Sequence, residues 1–390
     1  MDHSAIYKKQ QSGDARCYGG QKQAPVNWEN GVHWNVWIWR ASLFCLPWMI
    51  GCSSIGPGTV PRDRFDYSSA VADSWKQQAL LNIVKLRYSD NPVFLDVGQI
   101  VSGYTFQGTV SGNYGQNYPF GAPGNLTNYG VGVQGTYIDR PTITYTPLTG
   151  QQYMKGLMTP IAPSSVLFLI QAGYAADFIM LMTVESINGL NNRSAAPARM
   201  NPGDPEFFQV VELMRKVQHS GEIGMRVEVD KAKKETTLMT FHRRVLNAEL
   251  ESERAEIGRL LRLDRSLNEY QVSYGMSAGG GSSIDMTTRS LIQIMLELAG
   301  TVDIPKVDLD DGSAYAVLSQ TEVNKPLMHV RSGTERPKNP FVAVQYQGYW
   351  FWIDRTDLAS KRAFSFLMAI FNFAETGKAE NLPLVTIPAQ

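Results

Sequence analysis

Apolar positions recur along this chain with two periods, and the alternation between them marks out its elements. From Ser69 to Tyr88, Val71, Trp75, Ala79, Ile83 and Leu86 return at three- and four-residue steps, the spacing of a helix with one apolar face. Asp90-Asn91-Pro92 ends it, because proline cannot continue a helix. The period then drops to two: Tyr104, Phe106 and Val110 alternate with small or polar residues, as do Tyr129, Val131, Val133 and Tyr137. That pattern predicts a long antiparallel hairpin. Residues 113–128 between its arms are dense in Gly, Asn and Pro, so they read as an irregular tip carrying Tyr114, Tyr118 and Phe120.

Beyond the hairpin the pattern predicts a strand at Thr142–Tyr145 and a helix around 150–158. The apolar run Val166–Val184 is about as long as a membrane span, but it contains Gln171, Gly173 and Asp177. It therefore reads as two buried helices hinged at Gly173. Asn191–Pro205 is a candidate boundary between an N-terminal region (65–200) and a C-terminal one (201–390). Further on, helices are expected at 206–219 and 248–262, with two strands about the charged turn 230–234 and another at Tyr270–Tyr274. A helix from Thr288 to Ala299 should close on Gly300 as a left-handed cap. Gln347-Gly348 lies between Phe341–Tyr346 and Tyr349–Ile353, a tight-hairpin signal. The last helix, 356–376, is apolar on most faces and must be covered on several sides. Strands and helices mix without strict alternation, which predicts an α+β fold with mixed and antiparallel sheets.

The N-terminal region changes the picture. Arg40 precedes the apolar run Ala41–Ile50, which leads through Gly51 to Cys52 and then to the polar stretch Ser53–Gly58. Charge, short apolar core and a small residue at the cut form a secretory-signal layout. With cysteine directly after the cut, it resembles the lipobox of bacterial lipoproteins. The resemblance implies cleavage between Gly51 and Cys52, acylation of the Cys52 thiol, and a lipid-anchored envelope protein. Ser53, in place of aspartate, points within that class to the outer membrane, facing the periplasm. Met49 stands where leucine is commoner, and Pro47 interrupts the apolar core. Residues 1–39, with Trp28, Trp34, Trp37 and Trp39, are too aromatic for a signal's charged head, and a later start at Val32 or Val36 would restore one. Residues 52–64 read as a tether. Segments such as Leu81–Tyr88 and Tyr349–Asp354 resemble those of uncharacterised bacterial lipoproteins and bring no activity with them.

Composition narrows the partners. The chain has 36 basic and 36 acidic residues, so nucleic acid is not expected to bind through bulk charge. The cysteines are Cys17, Cys45 and Cys52. Cleavage would leave only the acylated thiol, which suits an oxidising compartment and excludes disulfides and thiolate metal sites.

Candidate chemistry is sparse. Gly275-Met276-Ser277-Ala278-Gly279 matches a nucleophile-elbow pattern, and an envelope serine hydrolase would use Ser277 with His329 and an aspartate among Asp303, Asp308, Asp310 and Asp311, Asp308 being the first choice. An elbow needs a helix starting at the serine, and Gly279-Gly280-Gly281 is poor helix material. Asp308–Gly312 begins like a calcium loop but has its glycine one place early. His219, His242 and His329 lack metal-ligand spacing, so neither metal nor cofactor is expected. Tyr349–Trp352 could stack a sugar, though such runs usually build a core. The favoured expectation is a non-enzymatic envelope protein. It would be held to the membrane by its lipid and contact a protein partner or the bilayer through Tyr114, Tyr118 and Phe120.

Overall fold

The structure is a computed structural model that describes residues 60–101, 103–117, 126–139, 141–221, 223–229, 235–241, 248–276, 280–317 and 326–375. The chain divides into two compact units, Met1–Asp66 and Tyr67–Gln390. Only residues 60–66 of the first are described, as the opening turns of α1 (Val60–Arg87). The helix thus starts inside the segment expected to be a tether, with Pro61 in its first turn, where a missing N–H costs nothing. Cys52 and Gly51 lie outside the described residues.

In the second unit the fold is α+β. The strands are β1 (Leu95–Val101), β2 (Tyr104–Asn117), β3 (Leu126–Asp139) and β4 (Thr142–Pro147). Next come α2 (Gln151–Met158), α3 (Pro163–Gln171), α4 (Ala176–Thr183), β5 (Val184–Ile187) and β6 (Leu190–Asn191). The chain continues with α5 (Pro205–His219), β7 (Ile223–Val229), β8 (Glu235–Phe241) and α6 (Ala248–Leu260). It then forms β9 (Glu269–Tyr274), β10 (Ser283–Thr288), α7 (Leu291–Ala299) and the short α8 (Lys306–Asp310). The last elements are β11 (Arg331–Gly333), β12 (Val342–Tyr346), β13 (Tyr349–Ile353) and α9 (Leu358–Glu375).

A six-stranded sheet in the order β6-β5-β10-β9-β8-β7 forms the centre, with β9 and β10 parallel and the other neighbours antiparallel. Helix α3 packs across its strands, and α4, α5 and α6 stack beside it. Gly173, at φ +100°, turns the chain between α3 and α4, the expected hinge. One contiguous apolar core runs from Ala79 on α1 to Leu367 on α9. Phe364, Phe366 and Leu367 are buried in it, while Leu358 is exposed.

Two expectations need correction. Gly300 closes α7 at φ −62°, a right-handed conformation. It is glycine for space: a Cβ there would lie 2.3 Å from Cβ of Ala195, closer than any pair of carbons can pack. Thr288, expected to open that helix, instead ends strand β10 (Ser283–Thr288), and α7 begins at Leu291.

That approach of residues 192–195 to α7 is fixed by a buried charge cluster. Glu297 accepts from Arg193 Nε at 2.6 Å and from the Ala195 backbone N–H at 2.9 Å. Arg289, between β10 and α7, lies 3.7 Å from Glu297, donates to the Leu181 carbonyl at 2.8 Å and also bonds the Arg193 carbonyl. Burying these charges is tolerable because Glu297 lies against both guanidinium groups and backbone carbonyls accept from Arg289.

Candidate functional site

The most exposed part of the molecule is the ribbon made by β2 and β3. Its ladder pairs fourteen residues on each strand, from Tyr104↔Asp139 to Asn117↔Leu126. Regular pairing therefore extends through 117, well into the region expected to be an irregular tip. Tyr114 is not on a loop; it sits within β2, opposite Tyr129, and is 68% exposed. Tyr118 and Phe120 lie outside the described residues.

The ribbon pairs with no other strand among the described residues. Residues 107–115 and 130–136 are exposed on both faces, including Val110, Val131 and Val133 at 76%, 82% and 78%. A free two-stranded ribbon is marginal in water, and an unpaired edge invites a partner strand.

Because side chains alternate across a strand, the register sorts the ribbon into two unlike faces. Across the exposed stretch one carries the pairs Gly108↔Gly135, Val110↔Val133 and Gly112↔Val131, with Tyr114 beyond them. The other carries Gln107↔Thr136, Thr109↔Gln134, Ser111↔Gly132 and Asn113↔Gly130. On this polar face the two glycines make room: a Cβ on Gly130 would lie 2.5 Å from Asn113 Oδ1, and one on Gly132 would lie 2.8 Å from Ser111 Oγ. From Val97 to Ile138 there is no Asp, Glu, Lys, Arg or His, in a chain that is 18% charged. This blank in the charge pattern is a signal that period-two reasoning leaves unused.

The root of the ribbon is held firmly. Strands β1 and β4 pair below it, with a bulge between Val97 and Gln99. Two amides on α1 then clamp the incoming strand. Gln78 donates to the Leu95 carbonyl at 3.0 Å and accepts from its N–H at 2.7 Å. Asn82, fully buried, does the same with Val93 at 2.8 and 3.0 Å. One helical turn separates the amides and two strand residues separate their partners, both steps being about 6–7 Å. Phe94 between them is buried against Tyr153 and Phe371.

The hydrolase candidates are brought together only in part: His329 meets Asp303, one of the expected acids, and not Asp308. The His329 ring pairs with Asp303, at 2.7 Å from Nε2, on an open surface where both side chains are about half exposed. Asp308 is not its acid: it accepts from the Tyr88 hydroxyl at 2.5 Å. Burial first, and then this bond to Asp308, raises the Tyr88 pKa far above its ordinary value, so the phenol remains a donor. The neighbouring Ser360 hydroxyl donates to Asp357 and accepts the backbone N–H of His329, not its ring. Ser277 lies outside the described residues. Met276 before it lines a cleft of about 430 Å³ with Tyr274, Thr287 and the Glu185–Arg199 ion pair. The next element along the chain is β10, a strand parallel to β9, where an elbow would place a helix.

The remaining candidates are structural. Asp308 and Asp310 belong to α8, and Asp311 is held by Ser313. Among the described residues no cluster of His, Cys, Asp and Glu could hold a metal ion. Phe351 is buried and Trp350 is half-buried, with Arg336 over the Trp350 ring at 5.4 Å, so a cation already occupies that stacking surface. No helix among the described residues is long and apolar enough to cross a membrane. No protein-family model, curated protein or solved structure matches this chain.

Proposed function

We propose that this chain is a lipid-anchored bacterial envelope protein that acts by binding. Its working surface is the β2–β3 ribbon on its clamped root, and its membrane attachment is an acyl group on Cys52. The observation that supports this reading best is the ribbon itself: a 42-residue run without charge, Val97–Ile138, mostly built into an exposed ribbon. Long exposed elements on a rigid scaffold are where binding function concentrates, and the sequence Gly51-Cys52 supplies the signal for anchoring.

The anchoring half is tested with Cys52→Ser. The variant should stay uncleaved and take up no fatty-acid probe. If it is processed and fractionates with the envelope as the native protein does, Cys52 is not the anchor. The binding half is tested by replacing Val110, Tyr114, Val131 and Val133 together with serine. These side chains are exposed, so the melting temperature should hold while material co-purifying from solubilised envelopes is lost. Unchanged co-purification would place the binding surface elsewhere.

A further inference from the structure

We infer that the β2–β3 ribbon spans the bilayer, and that ribbons from several copies of this chain pair edge to edge into one transmembrane β-barrel. This deepens the proposed envelope function and rests on it for location. Backbone polar groups inside a bilayer must all be satisfied, so a strand pair can enter only as part of a closed barrel. Among the described strands none pairs with the outer edge of β2 or of β3, each fourteen residues long. Further copies of the same ribbon close them by symmetry, β3 of one copy beside β2 of the next.

Three features fit the ribbon to hydrocarbon. Barrel strands alternate apolar outward and polar inward, which is the division that the register makes across residues 107–115 and 130–136. The edge-protecting charges of soluble sheets are missing throughout Val97–Ile138. Aromatic residues occupy the positions that bound this stretch of β2, Tyr104 and Phe106 near the root and Tyr114 farther out, with Gly108, Val110 and Gly112 at the alternate positions between them. Ten strand steps from Tyr104 to Tyr114 cover about 34 Å, or about 26 Å in height at a ~40° tilt, against an apolar band of about 25 Å in outer-membrane barrels. The inward face would carry Gln107, Thr109 and Ser111 on β2 and Gln134 on β3, uncharged polar groups that suit a water-filled lumen without ion selectivity. The smallest such barrels have about eight strands, so a closed assembly needs about four copies or more.

The test uses the full acylated protein, extracted in mild detergent for light scattering and reconstituted into phosphatidylethanolamine/phosphatidylglycerol bilayers. An assembly of four or more copies and discrete, weakly selective conductance are expected. Two neighbouring substitutions on opposite faces then decide. Val110→Lys, toward lipid, should reduce channel events by more than tenfold. Thr109→Lys, toward the lumen, should preserve them and shift the reversal potential toward anions. A membrane-bound monomer without conductance, or equal effects from the two lysines, overturns the barrel. Loss of envelope anchoring is read separately in Cys52→Ser, so failure of the barrel and failure of the location are distinguishable.

Discussion

Glu297 is the residue on which most depends for its size. It is buried, and it joins α7 to the chain that leaves β6 by accepting from Arg193 and from the Ala195 N–H. Removing one member of a buried ion cluster strands the others, at a cost of about 3–5 kcal/mol. Glu297→Ala should therefore lower stability by about that amount in urea unfolding, whereas Glu256→Ala, which breaks the exposed pair with Arg259, should shift the urea midpoint far less. Gly300→Ala acts at the same contact through volume alone, since its methyl would overlap Ala195. Asn82 is the equivalent residue beneath the ribbon. Its side chain satisfies both backbone groups of Val93, and Asn82→Leu would leave them unpaired at about 1–3 kcal/mol each. The reach of that loss should be visible by hydrogen exchange, with protection falling in β1 and β4 before it falls in the six-stranded sheet.

Elements show how far residue patterns carry and where they stop. The helices α5, α6 and α9 and the hairpin β12–β13 follow directly from period and turn chemistry. Gln347 and Gly348 both take positive φ, at 49° and 85°, as the hairpin requires. Strand β5 is hidden in the sequence because Val184 closes the apolar run of α4 with no turn between the two elements, and the four residues Val184-Glu185-Ser186-Ile187 are too few to show a period. Strand β10 is hidden because four of the six residues Ser283–Thr288 are polar; it forms because β9 and β5 supply its partners. The ribbon is legible as alternation, but its length is not, since glycine and asparagine in 113–117 weigh against strand locally and are carried by the ladder. Helix α9 offers a test at this scale. Its cap, Asp357, accepts from the Ser360 backbone N–H at 3.0 Å and from its hydroxyl at 2.5 Å. Burial pushes the Asp357 carboxyl up, yet the bonds from Ser360 outweigh it and leave the pKa below its ordinary value. A depressed carboxylate stabilises the fold above its unfolded pKa of about 3.9 and loses that contribution as pH falls through the folded value. Asp357→Ala should cost about 1 kcal/mol at pH 7, and the gap from the native protein should narrow below about pH 4.

At the scale of the whole molecule, body and ribbon are stabilised by different things. The body encloses one contiguous core from Ala79 to Leu367. Among the ribbon's described side chains none is buried and none belongs to that core. Its own cross-strand pairs are worth at most about 1 kcal/mol each, too little to order two strands of fourteen residues against backbone entropy of about 1–2 kcal/mol per residue. The ribbon therefore depends on its surroundings, and the body does not depend on the ribbon. Replacing residues 104–139 by a short Gly-Ser turn between β1 and β4 should leave the melting temperature of the body within about 2 °C of the native value. The same deletion should abolish assembly and conductance while Cys52 still anchors the protein to the envelope. Circular dichroism of the native chain should also gain strand signal when detergent is exchanged for lipid, and the deleted chain should show no such gain. A body that unfolds without residues 104–139 would show instead that the ribbon is a structural part of the domain, and the separation of scaffold from membrane element would fail.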